Sequence, residues 1–206
     1  MSISAEMVRK LREETGAGMM ECKSALVEAK GDGETARDIL RKKGLANAAK
    51  KAGRAASEGQ VGSYIHQGGK VGVLVEVNCE TDFVGKTAEF AQLVKDIAMH
   101  IAAASPAAAL YVSKDEVPAD VLEKEKEIYK AQAAASGKPA NVIEKIAEGK
   151  LKEYYATFCL LEQPYIREPK MTVGQLVQEK IAIIKENIVV RRFARYKVGE
   201  EIAPQA

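Results

Sequence analysis

Apolar residues in this 206-residue chain change their spacing along its length, from helical to alternating and back. In residues 4–14, Met7, Val8 and Leu11 share one helical face, Ser4 stands where an N-cap belongs, and Thr15-Gly16 breaks the pattern. Residues 18–29 predict a second helix with Met19, Cys22, Leu26 and Ala29 along one side. Gly31-Asp32-Gly33 then turns the chain, and residues 34–43 predict a third helix through Ala36, Ile39 and Leu40, ended by Gly44. Three helices in roughly 45 residues make a bundle of marginal stability by size alone.

The period then drops to two. Val71, Val73, Val75, Val77 and Cys79 alternate with other residues, as a strand with one buried face requires, and this strand is expected at the centre of its sheet. Residues 60–67 and 70–78 flank Gly68-Gly69, a two-residue connection able to adopt the positive φ angles of a tight hairpin turn; His66 beside it is expected at the surface. Thr87 caps a helix whose apolar stripe is Phe90, Leu93, Val94, Ile97, Ala98 and Ile101, to be packed on the sheet. Ser105-Pro106 ends it. Pro118 opens a charged helix to about residue 136, Gly137-Lys138-Pro139 reverses the chain, and residues 141–155 return as a helix with Val142, Ile143, Ile146, Ala147 and Leu151 on one face. Residues 158–167 read as a strand stopped by Pro164 and Pro169, Thr172 caps a helix over 173–185, and residues 188–198 alternate as a last strand with a mainly apolar face and a basic one. The fold class is therefore α+β: a three-helix bundle of the ubiquitin-associated type over residues 1–56, including a basic linker, then a helix-packed small antiparallel sheet domain over 57–206. A projecting helical hairpin, or coiled-coil arm, occupies about 117–156.

Charge changes this picture little. Thirty-one basic and 29 acidic side chains leave +2, so no global field draws the protein to nucleic acid or membrane. Arg41, Lys42, Lys43, Lys50, Lys51 and Arg54 form a run without an acid, and it also lacks an aromatic for base stacking; it reads as a solvated helical linker. Cys22, Cys79 and Cys159 are odd in number and far apart, which argues against a disulfide framework and a zinc site and favours a reducing, cytoplasmic compartment. Neither a signal peptide nor a membrane span is expected. Two histidines, and no GxSxG, HExxH or GxxxxGK[ST], argue against an enzyme and against bound nucleotide, cofactor or metal.

The candidate chemistry gathers where the central strand ends. Thr81 and Asp82 can cap backbone N–H groups of a helical turn. Phe83 follows the point where the strand releases the chain, so its ring either plugs the local core or stands out toward a partner. Met19 and Met20 are adjacent and cannot share one helix side; one is expected in the core and the other exposed. His100 falls at the edge of its apolar stripe, about 80° from Phe90 at 100° per residue, where a histidine commonly serves as a structural hydrogen-bonder.

Residues 78–84, NCETDFV, resemble the signature of elongation factor Ts, the exchange factor for the translational GTPase elongation factor Tu. The resemblance continues through LREETGAGMMECKSAL near the N-terminus, IAMHIAA around His100, QPYIREPKMTVGQL, and RFARYKVGE near the C-terminus. It implies a guanine nucleotide exchange factor that binds elongation factor Tu·GDP, with Thr81, Asp82, Phe83 and Val84 displacing magnesium and Phe83 as an apolar wedge. It adds Arg12, Met19, Met20 and His100 as further partner contacts. Longer members carry two related sheet subdomains and this chain holds one, so a homodimer is expected, as in short members. The alternative is a ribosome- or RNA-binding module using residues 41–54 and 191–197.

Overall fold

The structure, a computed structural model, describes residues 3–200 apart from residue 138. It is an α+β chain of helices and small antiparallel sheets whose residues gather in two compact units. One comprises the described residues up to Gln60, Val77–Leu93 and Leu176–Val189; the other comprises Val61–Glu76, the described residues of Val94–Gln175 and the described residues from Val190.

In the first unit, α1 (Ala5–Thr15), α2 (Met19–Glu28) and α3 (Gly33–Ala49) pack around Val8, Leu11, Cys22, Ala25, Leu26, Ala29 and Ala36. Their ends follow local chemistry. The Ser4 hydroxyl accepts from Met7 N–H at 3.2 Å, Gly16 closes α1 with a φ of 67°, and Asp32 caps α3 by accepting from Thr35 N–H at 2.7 Å. Gly44 does not end α3, contrary to expectation; the helix continues to Ala49. A Cβ at Gly44 would lie 3.0 Å from Ala182 Cβ, so this glycine permits close approach to a neighbouring helix instead of supplying a stop.

Strands β1 (Glu58–Ile65) and β2 (Val71–Cys79) form a hairpin. His66 N–H donates to Val71 O and Gly69 N–H to His66 O, both at 2.9 Å, so the turn holds four residues, 67–70, and not two. Gly68 and Gly69 do take positive φ, 85° and 67°. After α4 (Asp82–Gly85) comes α5 (Ala88–Ala103), capped by Thr87, whose hydroxyl accepts from Phe90 N–H at 3.2 Å. The whole predicted stripe of α5, from Phe90 to Ile101, is buried. A Cβ on Gly62 of β1 would collide with Val94 of α5, which shows how closely the helix lies on the strand.

In the second unit, α6 (Ala119–Ala135) and α7 (Ala140–Phe158) lie against each other, with Lys126 and Lys130 both paired to Glu144 at 3.0 and 2.7 Å. Residues 158–167 are not one strand. Phe158 closes α7, Leu160–Glu162 is a 3-10 turn, and only β3 (Pro164–Tyr165) pairs, antiparallel, with β4 (Glu168–Thr172). Burial here follows no single strand: Phe158 and Leu161 are half-buried, Pro164 and Ile166 are exposed, and Tyr165 is buried. Cys159, Leu160 and Gln163 are all enclosed, and Leu160 and Leu161 donate backbone bonds to Tyr111 and Val112. Thr172 and Gln175 cap α8 (Val173–Ile184) reciprocally, each side chain accepting from the other's backbone N–H at 3.1 and 2.9 Å. Strand β5 (Ile188–Lys197) completes a sheet of order β1-β2-β5, with β2 in the middle as expected. None of the described helices is long and apolar enough to cross a membrane.

Candidate functional site

The turn after β2 is built from its own side chains. Thr81 has extended backbone, φ −128° and ψ 153°, and its hydroxyl faces Val84 N–H at 3.4 Å, so it is the N-cap of the single-turn helix α4. Asp82 pairs with Lys86 at 2.6 Å, one turn later. That hydrogen bond with the Lys86 ammonium is the main reason its carboxyl titrates below the usual range, and the lysine is shifted up by the same contact. Phe83 is 80% exposed, which decides between its two readings: it does not plug the core. Val84 is half-buried and Gly85 is enclosed.

Two neighbours brace this turn. Gln60 Nε2 donates to Gly85 O at 2.5 Å. Gly59 has a φ of 135° and lies so close to Val77 O that a Cβ would collide with it, bringing the start of β1 against the strand that feeds the turn. From far along the sequence, the Glu186 carboxylate accepts from the N–H groups of Glu80 and Thr81 at 3.1 and 3.0 Å through Oε2, and from the Thr81 hydroxyl at 2.6 Å through Oε1. Glu80 reciprocates: its Oε1 accepts from Asn187 N–H at 2.6 Å and meets Arg54 Nη1 at 3.5 Å. Asn187 Nδ2 in turn donates to Arg54 O at 2.7 Å.

Arg12, Met19 and Met20 are all exposed. Both methionines therefore stand outside the core, at 55% and 74% exposure, where one was expected inside; α2 fills the bundle core with Cys22, Ala25 and Leu26. Met20 lines a cleft of about 700 Å³ with Leu40, Gly44, Leu45, Ala182 and Ile183. His100 is corrected in the opposite direction. It is fully buried, its Nδ1 accepts from Ile166 N–H at 3.2 Å, and its Nε2 therefore carries the proton donated to Gln163 Oε1 at 2.9 Å. Both ring nitrogens are used inside the protein, so His100 is not retained as a partner contact. Among the described residues, no group of three or more His, Cys, Asp or Glu side chains is arranged to hold a metal ion.

The sequence model of the family described as Elongation factor TS matches residues 44–200. The chain belongs to the elongation factor Ts family. It is 64% identical to elongation factor Ts of Caldanaerobacter subterraneus subsp. tengcongensis over 200 residues, 97% of this chain and 98% of that protein. It is 62% identical to elongation factor Ts of Geobacter metallireducens over 203 residues, 98% of this chain and 93% of that one. As a member of the elongation factor Ts family, the chain is a translation elongation factor.

For this elongation factor Ts chain, sequence reasoning found the turn and missed what braces it. Glu186 and Asn187 lie more than one hundred positions beyond Glu80 and Thr81, separated by |i−j| of 105 to 107. The available signal was weak: a polar Lys-Glu-Asn step joins an apolar helix to an apolar strand.

Proposed function

We propose that this elongation factor Ts family member is a guanine nucleotide exchange factor that binds elongation factor Tu·GDP, displaces its magnesium and promotes GDP release. Exposure of Phe83 carries the reading: a large ring stands in solvent on a turn whose backbone is hydrogen-bonded on both sides of it. A fully exposed phenylalanine gains about 1.5–3 kcal/mol when buried, so the turn has a favourable reason to enter a partner's cleft. Asp82 holds the turn's first residues by its bond with Lys86, and Thr81 and Val84 set the geometry between them. Insertion beside the partner's magnesium leaves the β-phosphate charge unneutralised, GDP departs faster, and GTP rebinds by mass action. By linkage, the factor weakens nucleotide by as much as nucleotide weakens the factor.

Arg12, Met19 and Met20 supply a second docking patch in this reading, since a stable interface needs more area than one turn provides. The bundle over residues 1–56, of ubiquitin-associated type, is then a docking element, and residues 57–206 make a sheet domain with its projecting arm. The protein acts in the cytoplasm, is not itself an enzyme, and binds no nucleotide, nucleic acid or metal of its own. A homodimer is part of the proposal. Val61 and Ile65 on β1, Leu74 on β2, and Tyr196 on β5 are exposed, an apolar sheet surface that a second copy would cover.

The RNA-binding alternative loses ground because several of its cations are already engaged. Arg41 meets Glu179 at 3.7 Å, Lys43 meets Glu28 at 2.6 Å and Arg54 meets Glu80 at 3.5 Å, while Arg192 meets Glu76 at 2.6 Å and Arg195 meets Glu200 at 2.8 Å. Release of a fluorescent GDP analogue from elongation factor Tu in Mg²⁺ buffer tests the function. The parent is expected to accelerate release and Phe83→Ala to lose most of that acceleration. No acceleration by the parent defeats the proposal.

A further inference from the structure

We propose that Glu186 is a positioning residue for nucleotide exchange: through Thr81 and Glu80 it holds the Phe83 turn in the projecting form that enters the partner. The inference rests on the exchange function proposed above. One carboxylate accepts three hydrogen bonds from two successive residues, from Glu80 N–H and Thr81 N–H on Oε2 and from the Thr81 hydroxyl on Oε1. Those residues lie between the end of β2 and the start of α4, where the strand ladder has ended and helical bonds have not begun. Their N–H groups would otherwise turn to water, and the turn would gain alternative conformations.

The geometry is reciprocal. Glu186 holds the backbone of residues 80 and 81 while the Glu80 carboxylate holds the backbone N–H of Asn187 at 2.6 Å. Neither segment can shift without breaking bonds made by the other. Asn187 is itself buried and tied to Arg54 O at 2.7 Å, which anchors the far side. Backbone strain points the same way. Lys185 takes a φ of 69°, a left-handed conformation disfavoured for a side-chain-bearing residue, at the step where α8 ends and Glu186 begins. The chain accepts that conformation to turn directly out of α8 into the clamp.

A pre-ordered turn matters because a wedge that must first be ordered is inserted in only a fraction of docked complexes. Removing Glu186 therefore lowers that fraction while leaving the rest of the docking surface in place. The test measures GDP release from elongation factor Tu at saturating factor, and the factor concentration giving half the maximal rate. It uses the full chain as parent, Glu186→Ala, Glu186→Gln, Phe83→Ala and the Phe83→Ala/Glu186→Ala double variant. Glu186→Ala is expected to lower the maximal rate about tenfold, in keeping with loss of charge-assisted hydrogen bonds, with the half-saturating concentration changed less than threefold. Glu186→Gln restores most of the rate, because an amide oxygen still accepts from the two N–H groups. The double variant is expected to match Phe83→Ala, since Glu186 acts through that ring.

Parent-like release by Glu186→Ala overturns the positioning role and leaves the exchange function standing, as do losses that multiply in the double variant. No acceleration by the parent overturns both. If Glu186→Ala lowers thermal stability, Glu186→Gln decides: a stable Gln variant as slow as Ala overturns the role.

Discussion

Phe83 and His100 were each open to a core and a surface reading, and the structure sends them opposite ways. Phe83 stands in solvent, so Phe83→Ala should leave thermal unfolding within about 0.5 kcal/mol of the parent, as substitutions outside the core generally do, even as exchange is lost. Differential scanning calorimetry checks the first half. His100 carries a different expectation. Burial is the larger influence on its titration and pushes it below its ordinary 6.5, with the Gln163 bond opposing. The folded state thus favours neutral imidazole, whose Nδ1 accepts from Ile166 N–H; protonation there would set donor against donor. Above about pH 6.5 both folded and unfolded forms are neutral, and the group adds no pH dependence. As pH falls below 6.5 the unfolded chain takes up the proton first, and stability declines until the folded pKa is reached. Chemical denaturation from pH 7.5 to 5 should show this decline in the parent and a smaller one in His100→Gln. A parent with no such decline would contradict the burial argument. Sequence pattern placed His100 on its helix correctly, but its solvation depends on residues 163 and 166, which no helical wheel contains.

At the scale of elements, most of the fold was legible from periodicity. Ser4, Gly16, Thr87 and Thr172 end or begin helices for local reasons, so each could be read from its neighbours. Errors arose where the reason was distant. Gly44 looked like a helix stop because glycine usually lowers helix propensity, yet its role is to face Ala182. The segment after Phe158 has the apolar content of a strand, but Cys159 and Leu160 are buried in succession and the chain then makes a 3-10 turn, which a single pleat does not allow. Gly59 shows how strongly such distant contacts bind. With a positive φ and no room beside Val77 O, Gly59→Ala is expected to destabilise the protein by about 2–4 kcal/mol and lower the unfolding midpoint; Gly53→Ala, with no atom within 4 Å of the new methyl, serves as control. In the arm, Glu144→Ala removes two exposed ion pairs and should leave the unfolding midpoint close to the parent's, because solvent screens such pairs.

For the whole molecule, two measurements separate the competing interaction modes. Replacing Ile65 and Leu74 with Glu places charges on the exposed apolar sheet face and is expected to convert a sedimenting dimer into a monomer; a parent that is monomeric across the accessible concentration range refutes the dimer. Binding to elongation factor Tu should weaken only mildly between 50 and 200 mM salt, whereas RNA binding through several phosphates loses orders of magnitude over that range. Half of the candidate site was legible, in the sense that the turn carrying Thr81 to Val84 announces itself locally, while its brace at Glu186 comes from across the chain.

The central position of β2 has a mechanical consequence. The Phe83 turn leaves the end of a strand hydrogen-bonded to β1 on one flank and β5 on the other. Were Phe83 inserted into a partner as proposed, the turn would transmit an equal and opposite force to that strand. A force along the strand axis loads the ladder bonds in shear, and a central strand has such bonds on two flanks to resist it where an edge strand has them on one. The tip of the wedge is a single side chain, and its stiffness belongs to the sheet.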